Sequence, residues 1–376
     1  MEDKYISCMV MHAIGDTIGF KNGEWEFMSG GFEKANEKLY EFIELGGVNN
    51  ISFKDWRVSD DTIMHIQTAV SLLENYNSIN TFGQILKKNF LDAYEQFLKE
   101  GLKWRYPGIS TMDALKLFKD GAEWSDIPYN VYSGGSGASM RSLCIGLAYY
   151  GETNRDQLVQ ISIESGRMTN NSTVGYLGAF ASALFASLAI EGKEITEWPF
   201  ILYDMLKKNE IIDRYMIITG RDVESYNRDK HDFIGKWYTY MNSKFDDKKK
   251  PIHRRADKNV VERGKLYHLN YGFKKQRHRD KQGEGTEEKT YIGSGGDDSV
   301  IIAYDALLDA GNNWEKLIVY AMLHMGDTDT TGCIAAGLYG ILYGMDKIPE
   351  NYFKDLEYKK ELINLGKKLY KKFYKE

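Results

Sequence analysis

Apolar side chains recur at helical spacing along most of the chain, and long runs that alternate apolar and polar residues are absent from the sequence. Ile63, Ile66, Val70 and Leu73, for example, follow an i, i+3, i+7, i+10 pattern that is typical of an amphipathic helix. The same spacing predicts helices at residues 4–13, 62–75, 80–100, 156–166, 174–190, 198–208, 298–310, 314–324, 330–343 and 356–373. The pattern therefore predicts an all-α fold. Because no internal repeat or Pro/Ser-rich linker interrupts it, we expect a single domain over residues 1–376.

Two of the predicted helices begin with clusters of acidic and hydroxyl side chains. The sequence SDDT occupies residues 59–62, and GDTDTT occupies residues 326–331 before a segment rich in Ala and Gly. Ser or Asp at an N-cap and acids in the first turn are ordinary capping residues, so capping alone is one interpretation of each motif. Capping needs only one or two such residues per helix, however. These two turns offer six oxygen-bearing side chains, namely Ser59, Asp60, Asp61, Asp327, Asp329 and Thr330.

A site shared by both turns would have a distinct chemistry. Four carboxylates a few ångström apart raise one another's pKa and cannot all stay ionised without cations. Carboxylate and hydroxyl oxygens, with no adjacent Cys and no His-x-x-x-His spacing, favour Mg²⁺, Mn²⁺ or Ca²⁺ over Zn²⁺. The two motifs therefore predict a binding site for hard divalent cations, provided that the turns meet.

Composition narrows the class of protein. A chain of 376 residues with 43% hydrophobic content can bury a large core. Cys8, Cys144 and Cys333 share no paired spacing, which argues against a disulfide framework and favours a reducing compartment. The first residues show no basic-then-apolar signal pattern, so a cytoplasmic location is expected. The longest nearly apolar run, at residues 176–190, is short for a membrane span and is predicted to be a core helix.

Charge is unevenly distributed along the chain. The net charge is −5, but residues 244–289 contain 15 Lys/Arg against 8 Asp/Glu, which gives +7 there and −12 elsewhere. Basic clusters at residues 248–250, 253–255 and 274–279 suit contact with phosphates of nucleic acid or of a modified protein. We favour the alternative that residues 244–289 form a basic insertion that is solvated and partly disordered.

Several of these motifs together resemble one protein family. WRVSDDTIMH at residues 56–65 and GDTDTT at residues 326–331 are similar to two acidic motifs of the ADP-ribosylglycohydrolases, and within them of the ADP-ribosylarginine hydrolase branch. Further similar stretches are NGEWEF at 22–27, GGSGA at 134–138, SIESGRMT at 162–169 and IAYDA at 302–306. The resemblance implies a compact, single-domain, multi-helix orthogonal bundle with a binuclear metal site at helix N-termini.

The resemblance also implies roles for individual residues. The six oxygen-bearing side chains of the acidic turns would bind two Mg²⁺ ions, with Mn²⁺ as the alternative. Glu26 would be a lid carboxylate near the reacting sugar, and it would share the catalytic role with Asp60 and Asp61. Adenine needs a flat apolar partner, for which Tyr291 or Tyr271 is suitable. The expected substrate-binding residues are Gly134, Gly135, Ser136, Gly137, Tyr291 and Gly293.

Glycines and arginines elsewhere allow weaker inferences. Residues 15–16, 134–137 and 293–296 are predicted turns, where exposed backbone N–H groups suit a diphosphate. Arg141 and Arg167 lie at or inside predicted helices, so a structural salt bridge is favoured over a phosphate contact for each.

The expected activity is metal-dependent hydrolysis of the N-glycosidic bond between ADP-ribose and arginine. Substrates would be ADP-ribosylated proteins or ADP-ribose, and the protein is expected to be a monomer that binds neither membrane nor nucleic acid. The alternatives are hydrolysis of another linkage, such as serine or O-acetyl-ADP-ribose, and non-catalytic ADP-ribose binding. The complete acid set argues against the latter. The chain departs from the family at Asn170, Asn171 and Met325, which leaves the six proposed ligands unchanged.

Overall fold

Helices form most of the protein, as the apolar spacing predicts. The computed structural model describes residues 1–27, 31–208, 210–278 and 286–374. The α-helices in these ranges are α1 (Glu2–Phe20), α2 (Lys34–Glu44), α3 (Gly47–Asn50), α4 (Asp60–Leu73), α5 (Ile79–Glu100), α6 (Leu102–Arg105), α7 (Ile109–Lys119), α8 (Leu143–Ala148), α9 (Arg155–Arg167), α10 (Thr173–Ile190), α11 (Trp198–Lys207), α12 (Ile211–Thr219), α13 (Val223–Lys244), α14 (Val260–Asn270), α15 (Asp298–Ala310), α16 (Trp314–Met322), α17 (Thr328–Tyr343), α18 (Asn351–Lys354) and α19 (Lys359–Phe373). Short 3₁₀ helices lie at Lys21–Gly23, Val131–Ser133, Ser136–Ala138, Glu152–Asn154, Ile195–Glu197 and Arg255–Lys258.

A small hairpin is the exception to the helical architecture of the described residues. Its strands, β1 (Phe273–His278) and β2 (Thr286–Tyr291), pair antiparallel with Phe273 opposite Tyr291. The predicted all-α, multi-helix fold is confirmed apart from this hairpin. The assignment of residues 1–376 to a single domain stays a prediction.

Each helix predicted from apolar spacing is present. The ends differ from the predicted ones by at most a few residues, except that α1 continues seven residues beyond its predicted end at residue 13. The predicted turn at residues 15–16 is wrong, because Gly15 and Asp16 lie inside α1, which continues to Phe20. Glycine serves a different purpose here, since a Cβ atom on Gly15 would overlap the backbone carbonyl of Gly332 in α17. Its missing side chain allows α17 to approach α1 closely.

The crossing of α1 and α17 is close along most of its length. A Cβ atom on Gly340 would lie 2.5 Å from the carbonyl oxygen of Ser7, and one on Gly19 would overlap the carbonyl of Thr328. The N-terminal end of α17 therefore lies beside the C-terminal half of α1. This contact brings the acidic turn at residues 326–331 next to Asp16.

The apolar helix α10 lies in the interior. It is long and apolar enough to cross a membrane by composition, but 94% of it is buried inside the protein. Tyr176, Phe180 and Phe185 have no exposed surface. The prediction of a core helix in this region is therefore confirmed.

Part of the predicted basic insertion at about 244–289 is packed into the core, so its description as solvated and partly disordered is wrong for residues such as Lys244 and Arg263. Lys244 and Arg263 are fully buried. Lys244 Nζ lies 2.7 Å from Asp309 Oδ1, and Arg263 Nη1 lies 2.7 Å from Asp305 Oδ2. Arg254 binds the same Asp305 at 2.7 Å. Buried acids thus neutralise cations that the charge pattern indicated to be exposed.

The other basic clusters differ in their surroundings. Residues 248–250 are exposed, as expected for a solvated segment. The cluster at residues 274–279 lies partly outside the described residues, since residue 279 and the side chains of residues 275–278 are not among them.

The α1–α17 crossing leads to a stability prediction for Gly340→Ala. The clash with the Ser7 carbonyl should cost about 1–3 kcal/mol, more than the gain in helix propensity of up to about 1 kcal/mol. Gly235→Ala in α13 is the control, because nothing lies within 4 Å of the added methyl group. Urea denaturation followed by circular dichroism should show a lower midpoint for Gly340→Ala alone. Equal midpoints would contradict the close crossing.

The buried ion pairs lead to a second prediction. Arg263→Met leaves Asp305 and Asp309 short of a partner, which should lower the free energy of unfolding by about 3–5 kcal/mol. Lys265→Met on the same helix is the control, because Lys265 pairs with Glu262 at the surface, and its midpoint should not change. Thermal and urea denaturation of both variants test this. A small loss for Arg263→Met would show that the acids find other partners.

Candidate active site

The two acidic helix starts meet in the structure. Ser59 is the N-cap of α4, where its Oγ accepts the N–H of Asp61 at 3.1 Å. Asp327 is the N-cap of α17, where it accepts the N–H of Thr330 at 3.3 Å. Thr330 Oγ1 donates to Asp61 Oδ2 at 2.9 Å and so joins the two turns directly. Capping therefore accounts for Ser59 and Asp327, whereas the acids beside them need another explanation.

Asp16 is a member of this site that the sequence interpretation missed. Its carboxylate accepts the N–H groups of Ser59 and Thr62 at 3.0 and 3.1 Å, and the hydroxyl of Thr62 at 2.5 Å. Burial, followed by the nearby charge of Asp329, raises the pKa of Asp16 to about 7. The sequence feature that could have identified Asp16 is an acidic residue among apolar residues in the same helix. Asp16 attaches the start of α4 to the crossing of α1 and α17.

The acids of the site are buried together. Burial, and after it the charge of Asp329, raises the pKa of Asp60, Asp61 and Asp327 well above the ordinary value for aspartate. The same two causes raise the pKa of Glu26. Such a cluster is favourable only when it is protonated or when cations neutralise it.

The geometry fits a hard divalent cation. Glu26, Asp327 and Asp329 each place one carboxylate oxygen within 4.8 Å of the others. Oε2 of Glu26 is buried and has no hydrogen-bond partner among the described residues, which leaves it available to a ligand. Acidic and hydroxyl oxygens of this kind suit Mg²⁺, Mn²⁺ or Ca²⁺.

Asp257, Asp305 and Asp309 form a second group of close acids, but this group differs in having protein cations as partners. Burial alone would raise the pKa of Asp305, but Lys244 and Arg263 hold it well below the ordinary value. This group is already neutralised by protein cations and is a structural element.

A cavity of about 350 Å³ opens above the acid cluster. Asp60, Asp61, Asp327, Asp329 and Thr330 form its polar end. Its other walls include apolar and backbone groups. The lining residues that the sequence interpretation did not name are Phe27, Tyr106, Gly108, Ile109, Ser110, Thr111, Met140, Phe273 and Ser294.

Four of the six expected substrate-binding residues, Gly135, Ser136, Gly137 and Tyr291, line this cavity. The Ser136 hydroxyl donates to Asp327 Oδ2 at 3.2 Å, which links the glycine turn to the acids. The Ser136 N–H donates instead to the Ser294 carbonyl at 2.8 Å, so this amide is engaged within the protein.

Gly134 and Gly293 do not line the cavity and are buried behind its wall, so the structure does not bring them together with the other four, and their assignment as substrate-binding residues stays a prediction. The N–H of Gly293 donates to Asp298 Oδ2 at 2.6 Å, and the carbonyl of Gly134 accepts the N–H of Gly296 at 2.9 Å. Gly293 adopts a φ of +80°, which explains glycine at this turn without a ligand.

Of the two candidate partners for adenine, Tyr291 lines the cavity and Tyr271 does not. Tyr271 is fully buried, with its hydroxyl 2.5 Å from Ser243 Oγ and 3.2 Å from Arg254, and it cannot reach a ligand in the cavity. Tyr291 lines the cavity and packs edge-on against Phe27, with ring centroids 5.9 Å apart. Tyr291 therefore remains as the candidate.

The structural salt bridge favoured from the sequence is present for Arg167 but, among the described residues, not for Arg141. Arg167 forms a buried pair with Glu164 at 2.8 Å. Arg141 forms no such pair in the described part of the chain but donates to the carbonyls of Gly137 and Ser165, so it supports the glycine turn from behind.

Two of the residues that depart from the family pattern, Asn170 and Met325, have partners within the fold. Asn170 lines the cavity, and its Nδ2 donates to the Gly135 carbonyl at 3.3 Å. The Met325 side chain packs into a small apolar cluster with Ala35, Val260 and Val261.

Lys38 is a second residue that the sequence interpretation missed. It is fully buried, and its Nζ donates to the backbone carbonyls of Trp25 and His324. Burial lowers the pKa of Lys38 to about 7, although the carboxylates of Asp329 and Glu26 act in the opposite direction. A basic side chain that titrates near neutral pH therefore lies beside the acid cluster.

Comparisons with known proteins bear on this site. The family model described as ADP-ribosylglycohydrolase matches residues 1–376. ADP-ribosylhydrolase ARH1 of Dictyostelium discoideum is 36% identical over 377 residues, which cover 96% of this chain and 92% of that protein. A putative ADP-ribosyl glycohydrolase of Acanthamoeba polyphaga mimivirus is 38% identical over 365 residues, with 94% and 67% covered. A solved structure described as an ADP-ribosylglycohydrolase-related protein complex shares the fold, with a TM-score of 0.57, 17% identity and 99% of both chains covered.

The raised pKa values lead to a prediction about pH and cations. Because the pKa of Asp16 is about 7 in the folded protein and about 4 in an unfolded chain, the stability that its protonation supplies is lost as pH rises through about 7. With a chelator present, the melting temperature should fall between pH 5 and pH 8. Mg²⁺ should raise it, and more so at pH 8, because cations bind the ionised acids. A melting temperature that changes with neither pH nor Mg²⁺ would contradict the prediction.

Proposed function

This chain belongs to the ADP-ribosylglycohydrolase family, and we propose that it hydrolyses the N-glycosidic bond between ADP-ribose and arginine in modified proteins. Family membership assigns hydrolysis of ADP-ribose linkages, and the family is metal-dependent. The observation that carries the proposal is that one cavity combines a buried acid cluster with an apolar wall. Such a cavity suits a ligand with a reacting sugar at one end and a nucleobase at the other.

Two Mg²⁺ ions, or Mn²⁺ in their place, are the proposed cofactors. Their ligands would be Ser59, Asp60, Asp61, Asp327, Asp329 and Thr330. When bound, the ions would supply Lewis acidity toward the vicinal hydroxyls of the distal ribose.

The carboxylates surround the place where charge develops. Cleavage at the anomeric carbon gives the ribose oxocarbenium character, which the carboxylates of Asp60 and Asp61 stabilise electrostatically. Glu26 is assigned the role of accepting a proton from the attacking water, since its Oε2 is buried and lacks a partner among the described residues. Water then adds directly to the anomeric carbon as the C–N bond to the guanidino group breaks, and the proton taken up by Glu26 passes to the leaving guanidine, so that no covalent intermediate is needed.

The rest of the substrate would lie along the remaining walls. Backbone groups at Gly135 and Gly137 would face the diphosphate, and Tyr291 or Phe273 would offer a ring to adenine. The bond to arginine would point out of the cavity mouth. Cytoplasmic location and a monomeric state belong to the same proposal.

The choice of arginine rests on the resemblance of the acidic motifs to the ADP-ribosylarginine hydrolase branch. Hydrolysis of a serine or O-acetyl linkage is the alternative, because both would present the same ribose and diphosphate to the cavity. Non-catalytic binding is disfavoured, since a binder has no need of so many buried acids.

Substitution of the acids is the direct test. Asp61→Asn and Asp329→Asn should each lower turnover at least about a hundredfold, because each removes one electrostatic stabiliser of the transition state. Glu26→Gln should also slow turnover but should retain Mg²⁺ binding in a calorimetric titration. Asp204→Asn is the control, since Asp204 pairs with Lys208 at the surface and should leave turnover unchanged. The readout is release of free ADP-ribose from ADP-ribosylarginine.

Parallel assays on serine- and acetyl-linked ADP-ribose separate the alternatives. Folded, Mg²⁺-loaded protein that releases ADP-ribose from serine or acetate alone would replace the arginine assignment. Protein that binds ADP-ribose and releases none from any linkage would support the non-catalytic alternative.

A further inference from the structure

The backbone before Glu26 is held by helix α2. Lys38 of α2 is fully buried and donates from Nζ to the carbonyl oxygens of Trp25 and His324. Trp25 directly precedes Glu26, and His324 lies three residues before Asp327. One ammonium group thus contacts both segments that carry acids of the site.

The Trp25 side chain is held by the same helix. Its indole is buried, and Nε1 donates to Glu41 Oε2 at 2.7 Å. The indole packs against Phe42, also on α2, with ring centroids 6.4 Å apart. Helix α2 therefore fixes both the carbonyl and the ring of the residue before Glu26.

The backbone after Glu26 is held as well. The N–H of Phe27 donates to the Gly326 carbonyl at 3.0 Å. Oε2 of Glu26 has no hydrogen-bond partner within the described ranges, so no hydrogen bond of that oxygen orients the carboxyl group. The backbone contacts on either side therefore help to set its position.

A buried lysine in this place needs a reason. Lysine is almost never fully buried unless its charge is paired, and its ammonium carries three donors that need acceptors. Two of these acceptors are carbonyls from separate segments, which would each be left without this partner if the ammonium were removed. A leucine or methionine would fill the same space without this link, and the segments would keep the Phe27–Gly326 bond and the bond of 3.3 Å from Thr328 Oγ1 to the Trp25 carbonyl.

We propose that Lys38 is a positioning residue that fixes the Glu26 segment against the turn carrying Asp327 and Asp329. The contact directs the Glu26 carboxyl group toward those two acids. The inference rests on the proposed function in assigning Glu26 to the reaction, whereas the anchoring itself does not depend on the substrate.

The first test examines the anchoring without any activity. The protein contains seven tryptophans, so 5-fluorotryptophan labelling gives a fluorine spectrum in which Trp25→Phe identifies the Trp25 resonance. Lys38→Met should shift or broaden that resonance and leave those of Trp198 and Trp237 unchanged. Lys34→Met is the matched control on α2, since Lys34 pairs with Glu37 at the surface. An unchanged Trp25 resonance in Lys38→Met would overturn the proposal.

The second test asks whether Lys38 acts through Glu26. Lys38→Met should lower kcat about tenfold or more with little change in KM, as expected when a reacting group is misplaced and binding is retained. In a Glu26→Gln background the same substitution should lower kcat by less than about twofold, because the group that it positions is already disabled. Lys38→Arg, which keeps the charge and the donors, should restore part of the activity. Losses that multiply would show that Lys38 acts independently of Glu26 and would overturn the proposal.

Failure of the proposed function and failure of the anchoring proposal can be distinguished. If the wild-type protein releases no ADP-ribose, the proposed function fails, and the fluorine spectrum still decides whether Lys38 anchors Trp25. If Lys38→Met does not fold, Lys38→Gln carries the same comparisons, because glutamine keeps donors but loses the charge and the reach to both carbonyls.

Discussion

Mutual repulsion among buried carboxylates is the constraint on which the site depends. Asp16, Asp60, Asp61, Asp329 and Glu26 share one desolvated region, and each has a raised pKa. The fold holds them there because α1 and α17 cross at glycines, and because Asp16 accepts hydrogen bonds from the start of α4. The apolar core must therefore supply stability against this repulsion until protons or cations remove it. A cluster that costs stability in the folded chain, yet is assembled from three helices, is expected of a binding site and is not needed for packing.

The group formed by Asp257, Asp305 and Asp309 shows how buried aspartates behave when lysine and arginine side chains balance their charge. Asp305 accepts contacts from Lys244, Arg254 and Arg263, and its pKa is held below the ordinary value although burial alone would raise it. Beside the site, Lys38 is the buried cation, and burial has lowered its own pKa. One group is thus neutral within the protein, whereas the other needs charge from outside. The lowered pKa of Asp305 thus reflects matched protein cations, although burial raises the pKa of its neighbour Asp309.

The sequence predicted those features that depend on local periodicity and on clustered chemistry. The apolar helices and the meeting of two acidic turns follow from such patterns. The apolar spacing did not predict α2, α7, α12, α13 and α14. Of these, α14 buries the charged Arg263, whereas the buried side chains of α13 are mainly aromatic and apolar. The sequence predicted a turn at Gly15 and Asp16, because sequence alone does not distinguish a glycine that permits close helix packing from one that forms a turn. Gly293 and Tyr271 were assigned to the ligand because residue type does not reveal whether an N–H or a hydroxyl already has a partner. Lys38 lies on a charged helix, and only the tertiary structure shows that its ammonium is buried.

The position of the acids at two helix N-termini affects the charge that a bound cation would meet. Unsatisfied N–H groups give the first turn of a helix a positive potential, which favours carboxylates and opposes cations. Ser59 and Asp327 satisfy some of these N–H groups as caps. The remaining acids must then supply enough negative charge to outweigh both helix ends before a divalent cation can bind. The same helix ends favour an anionic diphosphate nearby. In the proposed function, a surplus of carboxylates around N-terminal turns would allow one cavity to attract cations at its acidic end and a phosphate-bearing ligand beside them.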